Sequence, residues 1–152
     1  MTDVVLTVGN VLMGDDGAGP LLAELIEAAP VSGWSVIDGG SAPENVTHLV
    51  RAATPDRVLL VDAAEMGLAP GSIRRIDPGL VADRFLIDTH AIPLDFLVSS
   101  LEESVREVVF VGVQPARVAF FEEMTPAVRA AVADLHRRLA AGEDPADLPA
   151  VA

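Results

Sequence analysis

The sequence predicts an α/β fold in which helices cover a mainly parallel β-sheet. Short runs of Val, Ile, Leu and Phe recur along the 152 residues, and segments with helical periodicity lie between them. Strands that alternate with helices pair in parallel, because each helix carries the chain back across the sheet. The strands are predicted at 4–8, 35–37, 57–61, 72–76 and 108–113. The run at 72–76 is weaker and contains Arg74 and Arg75, which is typical of an edge strand.

Four helices are predicted from apolar periodicity and from their end signals. The first begins at Pro20, the second at the capping-box pair Ser41 and Glu44, the third at Pro93, and the last at Thr125 and Pro126. Their apolar faces are Leu21, Leu22, Leu25 and Ile26; Val46, Leu49 and Val50; Leu94, Leu97, Leu101 and Val105; and Val128, Val132, Leu135 and Leu139. The chain is expected to form one domain over residues 1–152, with residues 142–152 as a flexible tail.

The composition excludes several kinds of chemistry. The chain has no cysteine, and all ten basic residues are arginines. Thiolate nucleophiles, disulfides, Schiff-base lysines and the lysine of a phosphate-binding loop are therefore unavailable. The net charge of −13 would repel phosphates, so neither nucleic acid nor an anionic membrane is expected as a partner. The same charge suits a cation or a partner with a basic patch, although it also serves solubility alone.

A cytoplasmic location is expected. The sequence beginning Met-Thr-Asp-Val-Val lacks the basic region of a secretory signal. No apolar stretch reaches the length needed to cross a bilayer.

The loop after the first strand contains an unusual pair of acidic residues, Asp15 and Asp16. Gly14, Gly17 and Gly19 surround them in an order that does not match a dinucleotide-binding motif. Two carboxylates before the first helix would also repel a pyrophosphate. One carboxylate can cap the helix, where it is favourable with the helix dipole, which leaves the second available for function.

Three further groups follow predicted strands or precede a predicted helix, so they are expected at the carboxyl edge of the sheet, where α/β folds bind ligands. Asp38-Gly39-Gly40 is interpreted, from the residues alone, as a tight connection. Asp62 ends an apolar strand and is either a turn cap or a tuned carboxylate. His90 is either a helix cap or the one histidine placed for acid–base or metal chemistry.

Two carboxylates and one imidazole converging from separate loops would form a metal-binding face with open positions. Asp16, Asp62 and His90 are therefore the candidate catalytic and metal-ligating residues. Their oxygen and nitrogen donors suit a borderline divalent ion such as nickel, zinc or manganese. The residues alone do not assign a purpose to this cluster.

At these loops the sequence resembles the hydrogenase maturation proteases, over residues 4–139. It is most similar to the branch that processes the large subunit of hydrogenase 3 in formate hydrogenlyase. The matching segments are Val8-Gly9-Asn10, Met13-Gly14-Asp15-Asp16-Gly17-Ala18-Gly19-Pro20, Ile37-Asp38-Gly39-Gly40-Ser41-Ala42-Pro43-Glu44-Asn45, Val61-Asp62-Ala63, Thr89-His90 and Gly112-Val113-Gln114-Pro115.

The resemblance implies a three-layer α/β/α sandwich with a twisted five-stranded sheet and an aspartic-type endopeptidase. Such an enzyme removes a C-terminal extension from the precursor of a nickel–iron hydrogenase large subunit, after nickel insertion. Nickel is then presented by the substrate, with another divalent metal as an alternative in the same site. The family's metal-contacting residues map onto Asp16, Asp62 and His90. Other branches of the family have Glu in place of Asp16. Asp38, Gly39 and Gly40 are expected along the substrate path, and the enzyme is expected to be a monomer.

Two other classes of function remain open at this point. A non-catalytic nickel-binding chaperone would retain nickel without cleaving a protein. A general metallopeptidase would hold its own metal and cut unrelated peptides. Neither behaviour is implied by the resemblance.

Overall fold

A five-stranded sheet forms the centre of the molecule. The structure is a computed structural model that describes residues 2–77 and 94–151. The strands are β1 (Asp3–Thr7), β2 (Trp34–Asp38), β3 (Arg57–Ala63), β4 (Ile73–Ile76) and β5 (Glu107–Val113). Their order in the sheet is β2-β1-β3-β5-β4. The first three strands and β5 are parallel, and β4 pairs antiparallel with β5 at the edge. The predicted mainly parallel sheet and its weak edge strand are confirmed.

Helices cover both faces of this sheet. They are α1 (Ala18–Ala28), α2 (Thr47–Ala53), α3 (Leu94–Glu102) and α4 (Pro126–Ala140). Buried residues of α1 and α4 share one core with Leu59 and Val61, whereas those of α2 and α3 share the other core with Val58 and Leu60. This alternation along β3 places one core on each face and confirms the three-layer sandwich. Within the described ranges, no helix combines the length and the apolar composition needed to cross a membrane.

The central strand, β3, shows why the strands of this sheet can be predicted from the sequence. Residues 58–62 of β3 are fully buried, because helices cover both faces of the sheet. Such a strand reads as a continuous apolar run rather than as an alternating one. Burying each leucine of this strand contributes about 1.5–3 kcal/mol of transfer free energy. A polar residue at the end of such a run, as at Asp62, therefore stands out.

The second helix differs from its prediction. Ser41 is exposed and does not cap a helix, since the chain first forms a 3-10 turn at Pro43–Asn45 and α2 begins only at Thr47. The capping-box interpretation of Ser41 and Glu44 is wrong. Leu49, predicted to face the core, is 46% exposed.

Packing at the sheet edge explains this late start. The N–H of Gly39 donates a hydrogen bond to the carbonyl oxygen of Thr7 (2.7 Å). A Cβ added at Gly39 would lie 2.9 Å from the Pro43 Cβ. The chain is thus held against the end of β1 as far as Pro43, and the helix can begin only after this contact.

Residues near the C-terminus have a defined place, which corrects the prediction of a flexible tail at 142–152. A 3-10 turn forms at Pro145–Asp147, and Pro145 is buried. The Arg75 N–H donates to the carbonyl oxygen of Pro149 (2.8 Å), and the Val151 N–H donates to that of Arg75 (3.0 Å). The reason is the edge position of β4, whose outward backbone groups need partners.

The candidate active site

The loops that follow β1 and β2 are joined at the carboxyl edge of the sheet. Beyond the end of β1, the Val8 N–H donates to the carbonyl oxygen of Val61 (2.9 Å), and the Gly9 N–H donates to that of Gly40 (2.9 Å). Parallel strands end at the same edge, so these bonds connect the first loop to β3 and to the loop after β2, which are distant in sequence. The edge at which the candidate residues are predicted is therefore an ordered surface of hydrogen-bonded loops.

Gly9 determines where the acidic pair lies. Its φ of +146° is rarely adopted by other residues, and an added Cβ would overlap the carbonyl oxygen of Asp16. The 3-10 turn Gly14–Gly17 is thereby folded back over the start of its own loop. Only glycine allows this approach, which puts the backbone of Asp16 directly against Gly9.

Asp15 has a structural role. It is fully buried, and its carboxylate accepts hydrogen bonds from the N–H groups of Ala116 (2.8 Å), Arg117 (3.0 Å) and Thr125 (2.7 Å). The Thr125 hydroxyl also donates to it, at 2.8 Å and 3.0 Å from the two oxygens. Burial raises the pKa of Asp15, but these donors together outweigh burial and hold the pKa below its usual range. Asp15 thus joins the first loop to the loop between β5 and α4.

Asp16 is also fully buried, but its carboxylate lies in a different environment. One oxygen accepts the N–H of Asn10 at 2.9 Å. The Asn10 side chain in turn accepts the N–H of Leu12 at 2.9 Å, which fixes the turn that carries this donor. The two adjacent carboxylates therefore differ: Asp15 holds two distant loops together, whereas Asp16 accepts a donor from its own loop at the sheet edge.

Asp62 lies at the same edge. It is fully buried near the end of β3, beside Gly112 of β5. Alternation along the strand puts its side chain on the sheet face covered by α2 and α3. The 3-10 turn that carries Asp16 contacts β3. The structure thus brings the segments carrying Asp16 and Asp62 together.

His90, the third predicted residue, lies outside the described residues. Across residues 2–77 and 94–151, the structure contains no group of three His, Asp or Glu side chains arranged to hold a metal ion. Of the three predicted residues, the structure therefore describes Asp16 and Asp62. Carboxylate oxygens are ligands that many divalent ions accept.

Asp38 and Gly39 stabilise the connection between β2 and α2. Asp38 accepts the Thr7 hydroxyl (3.1 Å) and the Gly40 N–H (3.0 Å) through one oxygen. Gly39 is required by its contact with Thr7, where an added Cβ would lie 2.9 Å from the carbonyl oxygen. Gly40 has a φ of +56° and open space around it. Its N–H and carbonyl oxygen are both hydrogen-bonded within these loops, to Asp38 and Gly9, so Gly40 offers an extended peptide space beside the loop rather than free backbone groups.

Gln114 is a site-forming residue to which the sequence pattern assigned no role. Its buried side-chain oxygen accepts the N–H groups of Met66 (2.7 Å) and Leu68 (3.3 Å). Its amide nitrogen donates to the carboxylate of Glu65 (2.9 Å) and to the carbonyl oxygen of Pro115 (3.0 Å). Gln114 thus holds the loop that follows Asp62. The sequence signals were a polar residue between an apolar strand and a proline, and the family resemblance of the segment Gly112-Val113-Gln114-Pro115.

The chain is similar to known proteins over most of its length. A family model described as HycI, hydrogenase maturation protease, matches residues 20–141. The hydrogenase 3 maturation protease of Escherichia coli K12 is 53% identical over 139 residues, which are 91% of this chain and 89% of that protein.

Solved structures show the same fold. The solution structure of the endopeptidase HycI from Escherichia coli has a TM-score of 0.92 at 50% identity, covering 100% of this chain and 97% of that one. The crystal structure of a [NiFe] hydrogenase maturation protease HycI from Thermococcus kodakarensis has a TM-score of 0.80 at 28% identity, covering 92% and 90%. The chain belongs to the hydrogenase maturation protease family.

Proposed function

We propose that this endopeptidase removes the C-terminal extension from the large-subunit precursor of a nickel–iron hydrogenase, after nickel insertion. A precursor of the hydrogenase 3 type is the expected substrate, because the 53% identical relative is named for hydrogenase 3. Asp16, Asp62 and His90 are the proposed catalytic and metal-contacting residues. A cytoplasmic location and a monomeric state belong to the same proposal.

The contrast between the two adjacent aspartates carries the assignment of Asp16. Four donors hydrogen-bonded to the Asp15 carboxylate, three N–H groups and one hydroxyl shared between its two oxygens, give that residue a structural purpose. The Asp16 carboxylate accepts the Asn10 N–H from its own loop, and its turn contacts the strand that carries Asp62. Burying a carboxylate is costly, so two further buried carboxylates at one sheet edge favour a functional use.

Sequence position supports His90 as the third member. The described chain resumes at Leu94, four residues after His90, and Leu94 packs on the same sheet face as the Asp62 side chain. Four residues span at most about 14 Å. An imidazole with two carboxylates is a donor set suited to nickel, zinc or manganese. Nickel held in the precursor belongs to the substrate in this proposal.

Hydrolysis of the peptide bond then depends on a carboxylate. Water attacks the scissile carbonyl carbon, a base takes a proton from that water, and the leaving amine must receive a proton. The sequence contains no cysteine and no lysine, so those nucleophiles are unavailable. Asp16 or Asp62 can accept the proton from water and later return it to the amine, which makes the proposed mechanism aspartic-type. The open space beside Gly40 would admit the extended C-terminal segment, with Asp38 and Gly39 fixing the position of Gly40.

Single substitutions with an isosteric control test these assignments. Asp16→Asn, Asp62→Asn and His90→Ala should each reduce precursor cleavage by about a hundredfold or more, since each removes a group used in the reaction. Asp56→Asn is the control, because Asp56 is exposed just before β3, at the opposite edge of the sheet. Cleavage rates and melting temperatures are measured together. Wild-type rates in Asp16→Asn and His90→Ala would refute the site assignment.

A further inference from the structure

A cluster of exposed apolar side chains lies beside the candidate active site. This cluster, the aromatic patch, consists of Val11 (68% exposed), Leu12 (52%), Phe120 (65%) and Phe121 (84%). Two loops contribute to it, and the Phe121 N–H joins them by donating to the carbonyl oxygen of Leu12 (2.7 Å). The two phenylalanine rings contact each other with centroids 6.0 Å apart. Exposed aromatic side chains held in one place are typical of protein-binding sites.

The backbone conformation of Phe121 is a second indication that the patch binds a partner. Its φ of +61° lies in the left-handed region, which is unfavourable for a bulky residue. The ring is 84% exposed, so burial within the described part of the chain offsets little of this cost. Strained residues that survive in a structure are enriched at binding sites. This strained backbone carries a ring that faces solvent rather than the core.

The aromatic patch has a fixed position relative to Asp16. Both of its loops are attached to Asp15, whose N–H donates to the carbonyl oxygen of Arg117 (2.9 Å) and whose carboxylate holds Thr125. Phe120 and Phe121 lie between these two attachment points in sequence, and Asp16 is the next residue after Asp15. A partner bound at the patch would therefore be held at a constant distance from the candidate active site.

The charges around the patch indicate what kind of partner fits. A groove of about 710 Å³ adjoins Val11 and is bordered by Glu24, Glu122 and Glu123, with Arg129 as its basic residue. Glu122 is paired with Arg117 (3.0 Å), so Glu24 and Glu123 carry most of the acidic character of this border. The whole chain carries a net charge of −13. A second copy would bring two acidic rims together, which is unfavourable. A partner with an apolar centre and basic flanking residues is complementary.

We propose that the aromatic patch and this groove form a docking site for the folded hydrogenase precursor, separate from the site that holds its cleavable end. The docked segment is expected to present apolar side chains flanked by arginine or lysine. The proposal rests on the proposed function in naming the precursor as the partner.

The double variant Phe120→Ser/Phe121→Asn tests the docking site. Asparagine tolerates the left-handed conformation, so the substitution removes the ring while the backbone is kept. Binding of nickel-loaded precursor is measured by calorimetry in an Asp16→Asn background, which prevents turnover. We expect the Kd to rise about tenfold or more, with an unchanged melting temperature. An unchanged Kd would overturn the proposal.

Leu49→Ser is the control, because Leu49 is 46% exposed on α2, in neither of the two loops that form the patch. An equal rise in Kd with this control would mean a general effect of surface hydrophobicity and would overturn the assignment.

Glu122→Gln/Glu123→Gln should reduce the dependence of Kd on salt, and an unchanged dependence would contradict the proposed basic residues of the partner. Light scattering examines self-association: a wild-type dimer lost in the double variant would show that the patch joins two copies instead.

These outcomes separate the two proposals. If the wild-type protein binds precursor through the patch but does not cleave it, the docking site stands and the proposed cleavage fails. If it cleaves precursor and the double variant binds as tightly as the reference, the docking site fails alone. If the wild-type protein does not bind precursor, both fail.

Discussion

The carboxylate of Asp15 accepts hydrogen bonds from both the N–H and the hydroxyl of Thr125, a residue 110 positions later in the chain. This contact ties the loop after β1 to the start of α4. It separates the roles of two neighbouring acidic residues that local sequence cannot distinguish. It also predicts that their substitutions will have different consequences.

Asp15→Asn should lower the free energy of unfolding by about 2–3 kcal/mol, because hydrogen bonds to a buried charge are lost and an amide N–H₂ would face backbone N–H donors. Asp16→Asn should cost less stability, since the hydrogen bond that its carboxylate accepts from Asn10 joins residues of a single loop. Urea unfolding of both variants checks this. Equal losses of stability would contradict the separation of roles.

The stability that Asp15 provides should depend on pH. Its pKa in the folded state is below its ordinary value, so the folded protein binds this proton less readily than the unfolded chain. Its contribution is fully present above the unfolded-state pKa and is lost as the pH falls through the lower folded-state pKa. The difference in unfolding free energy between wild type and Asp15→Asn should therefore shrink below about pH 4. A difference that stays constant from about pH 6 to about pH 3 would argue against a lowered pKa.

Gly9→Ala and Gly33→Ala form a matched pair. Both glycines have positive φ values, +146° and +85°, but only a Cβ at Gly9 would overlap Asp16, whereas Gly33 has open space. Each substitution carries a conformational cost of roughly 1 kcal/mol. Only Gly9→Ala should also displace the Asp16 turn and reduce precursor cleavage, by about a hundredfold. Cleavage is compared at a temperature where both variants remain folded by circular dichroism. Equal activities of the two variants would show that catalysis does not depend on the position of Asp16.

Features set by local patterns could be predicted from the sequence. The fully buried β3 reads as an unbroken apolar run because helices cover both faces. The helix α4 begins at Pro126 with Val128 and Leu135 buried, as its periodicity indicates. Asp16 and Asp62 could be assigned to the same edge because parallel strands end together.

Features set by distant contacts could not be predicted. The capping-box spacing of Ser41 and Glu44 was overridden because Pro43 packs against Gly39. The expected tail pairs with β4 through Arg75, an interaction with no local signal. Thr125 does precede α4, but no side-chain hydrogen bond caps that helix, and its hydroxyl is used by Asp15.

The most direct test of the central claim is mass spectrometry of a hydrogenase large-subunit precursor after incubation with this protein. The precursor is supplied in nickel-loaded and nickel-free forms, and Asp16→Asn serves as the inactive reference. We expect a C-terminal peptide to be lost only from the loaded precursor and only with the wild-type enzyme. Equal cleavage of the nickel-free precursor, cleavage by Asp16→Asn at the wild-type rate, or an intact loaded precursor would contradict the account.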